Sequence, residues 1–270
     1  MKRREFISLI GAGSVAPLSV FAQTGKKKLI TKAIPATGQK IPIIGMGTSR
    51  TFNVGSSAKL LNGRTEVLKT FFNMGGQLID SSPMYGSSEE VLGLALKKLG
   101  QKKFTSATKV WTSSTEKGKV QFKSSLKLWG TRKLDIYQIH NLVNWKEHLK
   151  VLRKYKAEGK INYIGITTSH ARRTEDFQNI MKTEKLDFAQ FSYNLNERWN
   201  EKEKLAIARG LGIATLINRP FERGDLFDKV KGKKLPSFAK DIDCTSWAQY
   251  FLKWVVSHPG VTCAIPATSK

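Results

Sequence analysis

The chain has 270 residues, of which 40% are hydrophobic, and this is sufficient for one well-buried domain. Its 46 lysine and arginine residues against 21 acidic ones give a formal net charge of +25. The lysines are scattered over predicted helical surfaces and no nucleic-acid module is recognisable, so we expect no nucleic-acid partner. Weak contacts with anionic surfaces fit the charge, as does a plain preference for lysine on solvated faces.

The first residues form a predicted export signal. Arg3 and Arg4 make up a twin-arginine signature, and the apolar residues 9–21 that follow are too few to span a bilayer. We therefore expect a signal peptide over residues 1–22, recognition by the twin-arginine export machinery, and a mature domain over 23–270 in the periplasm or otherwise outside a bacterial cytoplasm. Such signals resemble those of proteins that fold around a cofactor before export, so a preloaded cofactor is expected. An ordinary basic start of a cytosolic chain is the alternative.

Alternating hydrophobic periods predict repeated strand and helix units after a small hairpin formed by residues 28–33 and 39–44. The eight predicted strands lie near residues 43–48, 78, 104, 134, 163–168, 188–193, 213–218 and 262–266. The predicted helices lie near residues 64–73, 89–99, 119–129, 147–157, 174–183, 201–209 and 245–257.

This order of elements predicts an α/β fold, a closed (β/α)8 barrel. An open doubly wound sheet is disfavoured because no G-x-G-x-x-G loop opens the first helix. No helix follows the last predicted strand, so we expect either a fragment or a barrel with an open seam. Cys244 and Cys263 are interpreted as isolated core residues, with a disulfide as the alternative.

Polar residues end three successive hydrophobic runs: Asp80, Lys109 and His140. Tyr85 follows Asp80 by five residues. Because (β/α)8 barrels keep their chemistry at the carboxyl ends of the strands, we expect the four side chains to meet there. Each also has an ordinary structural interpretation: Tyr85 as a loop anchor, Lys109 with Asp80 as a structural ion pair, and His140 as a core histidine.

The same residues, in this order, resemble the tetrad of the aldo/keto reductase family, and the resemblance extends over residues 41–270. Further matching segments are Tyr85-Gly86, Thr108-Lys109, Gln138-Ile139-His140, 164–168 and Ile265-Pro266.

The resemblance implies hydride transfer between a nicotinamide and a carbonyl, with Tyr85 as the proton donor at the carbonyl oxygen. We expect the Lys109 ammonium to lower the pKa of Tyr85, and Asp80 to pair with Lys109. His140 is expected to orient the substrate oxygen through a hydrogen bond.

The resemblance also implies a cofactor site. Thr167 and Thr168 stand where the family usually has serine and asparagine, and Thr167 with Gln190 should hold the nicotinamide carboxamide. Asn218 stands where the family commonly has an aromatic residue that stacks on the nicotinamide. Arg219 is expected to reach the pyrophosphate, with a surface ion pair as the alternative.

Three further residues complete the expected cofactor site: Thr48 after the first strand, and Ser269 and Lys270, which resemble the segment that grips the 2′-phosphate and favour NADP(H) over NAD(H). Tyr193 is a candidate to replace the missing aromatic ring. No metal ligands are predicted.

Rim loops should select the substrate, and three apolar residues are candidates for one wall of its pocket or for ordinary packing: Met84, Trp111 and Trp145. The predicted rim loops are residues 51–63, 111–118, 141–145 and 222–243.

The sequence therefore predicts an exported, NADPH-dependent reductase of a small-molecule aldehyde or ketone, with the natural substrate and the oligomeric state open. One alternative is a catalytically retired barrel that binds a nucleotide or an anionic ligand in the cell envelope. Another is a surface-binding module for anionic polymers that holds no nicotinamide.

Overall fold

The computed structural model describes residues 29–169 and 172–268. The predicted signal peptide, residues 1–22, lies outside these ranges. So do Ser269 and Lys270, the two residues predicted to bind the 2′-phosphate.

An antiparallel hairpin precedes the barrel, as the sequence predicts. Its strands are β1 (Thr31–Ala33) and β2 (Lys40–Pro42), and its turn includes Gly38 at a φ of 74°, which a residue without a Cβ adopts readily. Lys32 fastens the hairpin to the chain near the C-terminal helix, where its ammonium donates to three carbonyl oxygens, those of Val256, His258 and Val261.

Among the described residues, eight strands form one parallel sheet in chain order, each paired with the next, which confirms the predicted (β/α)8 architecture. The strands are β3 (Met46–Gly47), β4 (Leu78–Asp80), β5 (Thr105–Val110), β6 (Leu134–Ile139), β7 (Ile161–Thr167), β8 (Phe188–Ser192), β9 (Ala214–Asn218) and β10 (Cys263–Ala264). The helices are α1 (Ala58–Asn73), α2 (Ser88–Leu99), α3 (Thr115–Trp129), α4 (Trp145–Ala157), α5 (Thr174–Thr183), α6 (Lys204–Leu211), α7 (Asp225–Lys229) and α8 (Trp247–Ser257).

Backbone hydrogen bonds bridge the seam between the first and last barrel strands. The Gly45 N–H donates to the Ala264 oxygen at 2.8 Å, the Ala264 N–H to the Ile43 oxygen at 2.9 Å, and the Gly47 N–H to the Pro266 oxygen at 2.8 Å. These hydrogen bonds contradict the open seam that the sequence offered as one alternative. Within the described residues, β10 is the last element.

The barrel interior is packed with apolar side chains at the end opposite the strand C-termini. Ile34 and Ile41 of the hairpin join this cluster, and Tyr163 bonds through its hydroxyl to Thr37 and Gln39. The hairpin thus plugs one end of the barrel, which leaves the other end for a ligand. Other members of the cluster are Leu78, Ala107, Ile136, Phe188, Ala214, Leu216, Cys263 and Ile265.

Two local features differ from, or settle, the sequence predictions. Helix α1 begins at Ala58 because the Ser57 side chain accepts a hydrogen bond from the Leu60 N–H, so the predicted rim loop 51–63 is already helical in its second half. Cys244 and Cys263 are buried free thiols, as predicted. No helix in the described part of the chain is long and apolar enough to cross a membrane.

Candidate active site

The carboxyl ends of the barrel strands open into a cavity of about 670 Å³, and the four residues of the predicted tetrad line it together. Asp80 is the last residue of β4, Lys109 lies near the end of β5, and His140 directly follows β6. Tyr85 reaches the cavity from the loop between β4 and α2. The register of the parallel sheet places these ends side by side, although up to 60 positions of sequence separate the residues.

Lys109 and Asp80 form the buried ion pair that the sequence predicts. The ammonium lies 2.8 Å from each carboxylate oxygen, and the side chains are 1% and 3% exposed. Its third hydrogen goes to the Ser81 carbonyl at 2.6 Å, so every ammonium proton has an acceptor. Burial alone would lower the pKa of Lys109, but the Asp80 charge and the nearby Tyr85 oxygen outweigh it and raise that pKa. Lys109 is therefore a cation at neutral pH.

The Tyr85 phenol is half-buried beside Lys109. The Lys109 ammonium lies 5.2 Å from the centre of the Tyr85 ring. Burial raises the pKa of Tyr85, and the Lys109 charge opposes this effect without reversing it. The expected net lowering of that pKa is therefore wrong, because desolvation of the phenolate outweighs the attraction of one ammonium. The phenol stays protonated at neutral pH.

His140 stands next to the phenol, with ring centres 5.8 Å apart and ring planes nearly perpendicular. Burial lowers the pKa of His140 to about 3, and the Lys109 charge adds to the effect. The imidazole is therefore neutral at physiological pH and has one N–H donor. Its Nδ1 lies 2.9 Å from the Ser82 hydroxyl, a contact that the sequence did not reveal.

The predicted cofactor residues that the structure describes all line the same cavity: Thr48, Thr167, Thr168, Gln190, Asn218 and Arg219. Their hydrogen bonds differ in part from the expectation. The Thr168 hydroxyl donates to the Arg172 carbonyl at 2.8 Å, and Gln190 accepts from the Gln138 amide at 2.9 Å. Both polar groups are therefore partly engaged within the protein.

Asn218 bridges strands where the family commonly has a ring. Its oxygen accepts from the Ser192 hydroxyl at 2.7 Å, and its amide donates to the Thr168 carbonyl at 3.2 Å. Tyr193 does not replace the ring: its hydroxyl bonds to Glu201, and it stacks on Trp254 away from the cavity. That prediction is wrong because β8 ends at Ser192, one residue earlier, and strand alternation does not orient Tyr193.

Asn141 begins the predicted rim loop 141–145 and lines the cavity, but the sequence did not indicate its contact with the cofactor candidate Thr167. Its backbone has a φ of 52°, which Asn tolerates better than most residues, and its N–H donates to the Thr167 hydroxyl oxygen at 3.3 Å. Its side-chain oxygen is buried and has no hydrogen-bond partner among the described residues. A buried acceptor of this kind on a cavity wall suits a ligand N–H or O–H.

In the part of the chain that the structure describes, four arginines line the cavity: Arg50, Arg172, Arg219 and Arg223. Burial lowers the pKa of Arg219 to about 10, and the positive charges of Arg223 and Arg50 contribute, so these guanidinium groups lie within electrostatic range of one another. Arg219 remains a cation at neutral pH. The cavity rim is therefore suited to phosphate groups, which guanidinium groups bind in bidentate fashion.

The apolar wall of the cavity is smaller than predicted. Met84 lines it, whereas Trp111 lies on the surface with 42% exposure and Trp145, the first residue of α4, packs against the core. Besides Tyr85 and His140, the aromatic side chains on the cavity wall among the described residues are Phe221, which follows β9, and Phe227, in α7. Neither was among the apolar residues that the sequence predicted for this wall.

A sequence model of the aldo/keto reductase family matches residues 43–270. The chain belongs to the aldo/keto reductase family. The aldo-keto reductase YhdN of Bacillus subtilis is 26% identical, with 86% of this chain and 83% of that protein covered. The methylglyoxal reductase YeaE of Escherichia coli is also 26% identical, over 84% of this chain and 80% of that enzyme.

The solved structures agree with this assignment. The crystal structure of an aldo/keto reductase from Klebsiella pneumoniae in complex with NADP and acetate superposes with a TM-score of 0.71 at 25% identity, covering 86% of this chain and 83% of that one. The fold of this member of the aldo/keto reductase family is thus shared over nearly the whole barrel.

Proposed function

We propose that this aldo/keto reductase reduces a small aldehyde or ketone to an alcohol, with a hydride from NADPH and a proton from Tyr85. The family assignment supports an NAD(P)H-dependent oxidoreductase. The observation that carries the finer proposal is the tetrad: a protonated phenol, a fully paired lysine and a neutral imidazole line one cavity.

The cavity fits a nicotinamide carboxamide, which carries one acceptor and two donor hydrogens. The Thr167 oxygen accepts from the Asn141 N–H, so the Thr167 hydroxyl hydrogen is available to a ligand carbonyl. The unpartnered Asn141 oxygen is available to a ligand N–H. In this proposal Thr167 and Asn141 bind the nicotinamide carboxamide, whereas the Thr168 hydroxyl already donates to the Arg172 carbonyl.

The arginines around the rim suit the phosphates of a dinucleotide. Arg219 lies within electrostatic range of Arg50, Arg223 and Tyr85, and all four line the cavity, which supports a pyrophosphate site in this part of it. Ser269 and Lys270 resemble a 2′-phosphate segment, and the Klebsiella pneumoniae relative holds NADP, which favours NADPH over NADH. Bound NADPH would supply the hydride.

The four residues of the tetrad have separate roles in this proposal. Tyr85 donates its hydroxyl proton to the carbonyl oxygen as negative charge develops there. The Lys109 charge stabilises the phenolate left behind, and Asp80 keeps Lys109 charged and in place. His140 donates an N–H to the same carbonyl oxygen and orients it.

Replacement of the phenol tests the proposal. Tyr85→Phe should lower turnover by about 10²- to 10⁴-fold, the usual contribution of a general acid, while NADPH binding measured by fluorescence stays unchanged. A suitable panel of small aldehydes and ketones includes methylglyoxal and glyoxal, which the names of two relatives give as substrates. Tyr250→Phe, outside the cavity, is the matched control.

Full turnover by the Tyr85→Phe variant would refute the role of Tyr85. Saturable NADPH binding by the wild type without turnover of any panel member would instead favour the catalytically retired barrel. Two observations are consistent with that alternative: the Thr168 hydroxyl already donates to the Arg172 carbonyl, and Asn218 stands in place of an aromatic ring.

We further propose export through the twin-arginine machinery with the cofactor already bound, on the basis of Arg3, Arg4 and the apolar stretch after them. Replacement of both arginines by lysine should retain the protein in the cytoplasm. Denaturation of the exported protein should release NADP(H). Export that is unaffected by the replacement, or a nucleotide-free exported protein, would contradict the respective part of the proposal.

A further inference from the structure

Ser82 lies in the turn between Asp80 and Tyr85, is fully buried, and contacts both the proposed proton donor Tyr85 and His140. Its hydroxyl oxygen lies 2.9 Å from His140 Nδ1 and accepts the Met84 N–H at 3.2 Å. Its carbonyl accepts the Tyr85 N–H at 2.9 Å. Ser82 therefore joins the backbone that carries the phenol to the ring of His140, 58 positions later in the chain.

The direction of the Ser82–His140 hydrogen bond follows from the partners available. The hydroxyl has one hydrogen to donate, and the Met84 N–H can only donate to it. Among the described residues, His140 Nδ1 is the one acceptor within hydrogen-bond distance of the Ser82 hydroxyl. If Nδ1 carried the proton instead, the hydroxyl hydrogen would be buried without an acceptor, which folded proteins avoid.

We propose that Ser82 is a positioning residue that holds the proton of neutral His140 on Nε2, so that the imidazole presents an N–H donor to the substrate carbonyl oxygen. The inference deepens the proposed carbonyl reduction and rests on it for its catalytic meaning. With Nδ1 held by Ser82, Nε2 is the ring nitrogen left for the cavity that His140 lines. The other tautomer would present a lone pair there, which would repel a carbonyl oxygen instead of binding it.

The tautomer can be measured without turnover. Long-range ¹H–¹⁵N correlation spectra of the imidazole rings distinguish a proton on Nδ1 from one on Nε2, and the chain has only four histidines. His148 supplies an internal reference, because its Nε2 lies 2.7 Å from the Thr112 carbonyl, which can only accept. The His140 signals are assigned by their loss in His140→Asn.

The wild type should show neutral His140 with the proton on Nε2 at neutral pH. In Ser82→Ala, the His140 signals should shift towards a mixture of tautomers, and kcat for carbonyl reduction should fall by about tenfold, the fold-change that corresponds to the loss of one hydrogen bond. The dissociation constant of NADPH should stay unchanged. Ser82→Thr keeps the hydroxyl and should restore both the tautomer and most of kcat.

Ser125→Ala is the matched control, because it removes another fully buried hydroxyl, one that bonds Glu89 at 3.0 Å and does not contact His140. It should leave the His140 spectrum unchanged. A proton on Nδ1 in the wild type, or an unaltered tautomer in Ser82→Ala, would overturn the assignment of Ser82. Absence of turnover in the wild type would refute the proposed function instead, and the spectra would still decide the tautomer.

Discussion

Removal of the Asp80 charge should destabilise the barrel strongly and abolish turnover. In Asp80→Asn the Lys109 ammonium stays buried at 1% exposure without a counterion. At 2.8 Å and an effective dielectric constant of about 20, the Coulomb attraction lost is about 6 kcal/mol. The remaining amide oxygen and the Ser81 carbonyl offset part of it, so we expect a net loss of about 3–5 kcal/mol in the free energy of unfolding.

A double-mutant cycle tests whether the ion pair between Asp80 and Lys109 is the source of the destabilisation. Lys109→Met should cost about as much as Asp80→Asn, since it leaves a buried carboxylate unpaired, whereas the double variant holds no unpaired charge and should recover most of the loss. Urea titration followed by circular dichroism measures all four proteins, and Glu116→Gln, in an exposed ion pair with Lys119, should change nothing measurable. Additive losses in the double variant would show that the pair is not the source of the destabilisation. All variants of the pair should lack turnover.

Three further predictions concern pH, cofactor binding and packing. Because the pKa of Tyr85 is raised, the phenol stays protonated up to its ordinary pKa of about 10, and His140 is neutral above a pH of about 3. The rate of reduction should therefore be flat from about pH 5 to about pH 9. A change of the rate with pH between these limits would contradict the assigned protonation states. Asn141→Ala should weaken NADPH binding by about 3- to 10-fold but leave binding of the 3-acetylpyridine analogue, which lacks the amide hydrogens, unchanged; equal weakening of both would exclude the amide contact. Gly93→Ala should destabilise the protein by about 1–3 kcal/mol or more, because a Cβ there would lie 1.8 Å from a backbone oxygen of α3. Gly63→Ala, in open space on α1, should stabilise it by about 0.5–1 kcal/mol. The thermal unfolding temperatures of the two variants should therefore move in opposite directions.

The tetrad was predictable because it depends on strand ends. Asp80, Lys109 and His140 each terminate a hydrophobic run, and parallel strands in a barrel end at one rim. A sequence that alternates strand and helix thus places such residues together before any contact is known. The ion pair of Asp80 with Lys109 was expected from their opposite charges at neighbouring strand ends and from the family resemblance, and the structure contains it.

The pKa of Tyr85 was not predictable in the same way. The sequence shows that a lysine is near, but the sign of the shift depends on how much water the fold removes from the phenol. Here the burial around the ring exceeds the effect of the ammonium. The same limit applies to Tyr193, whose direction depends on a strand end that the residue pattern does not mark.

The sequence by itself predicted the order of elements and the barrel, because hydrophobic periodicity is a local property of the chain. The resemblance carried by residue spacing indicated the family and brought Asp80, Tyr85, Lys109 and His140 forward as candidates. Only the tertiary structure decided which polar groups are engaged and which remain for a ligand. Ser82 with His140 and Gln138 with Gln190 are hydrogen-bond partners 58 and 52 positions apart. Contacts at such separations depend on side-chain directions across neighbouring strands and loops, which no local pattern records.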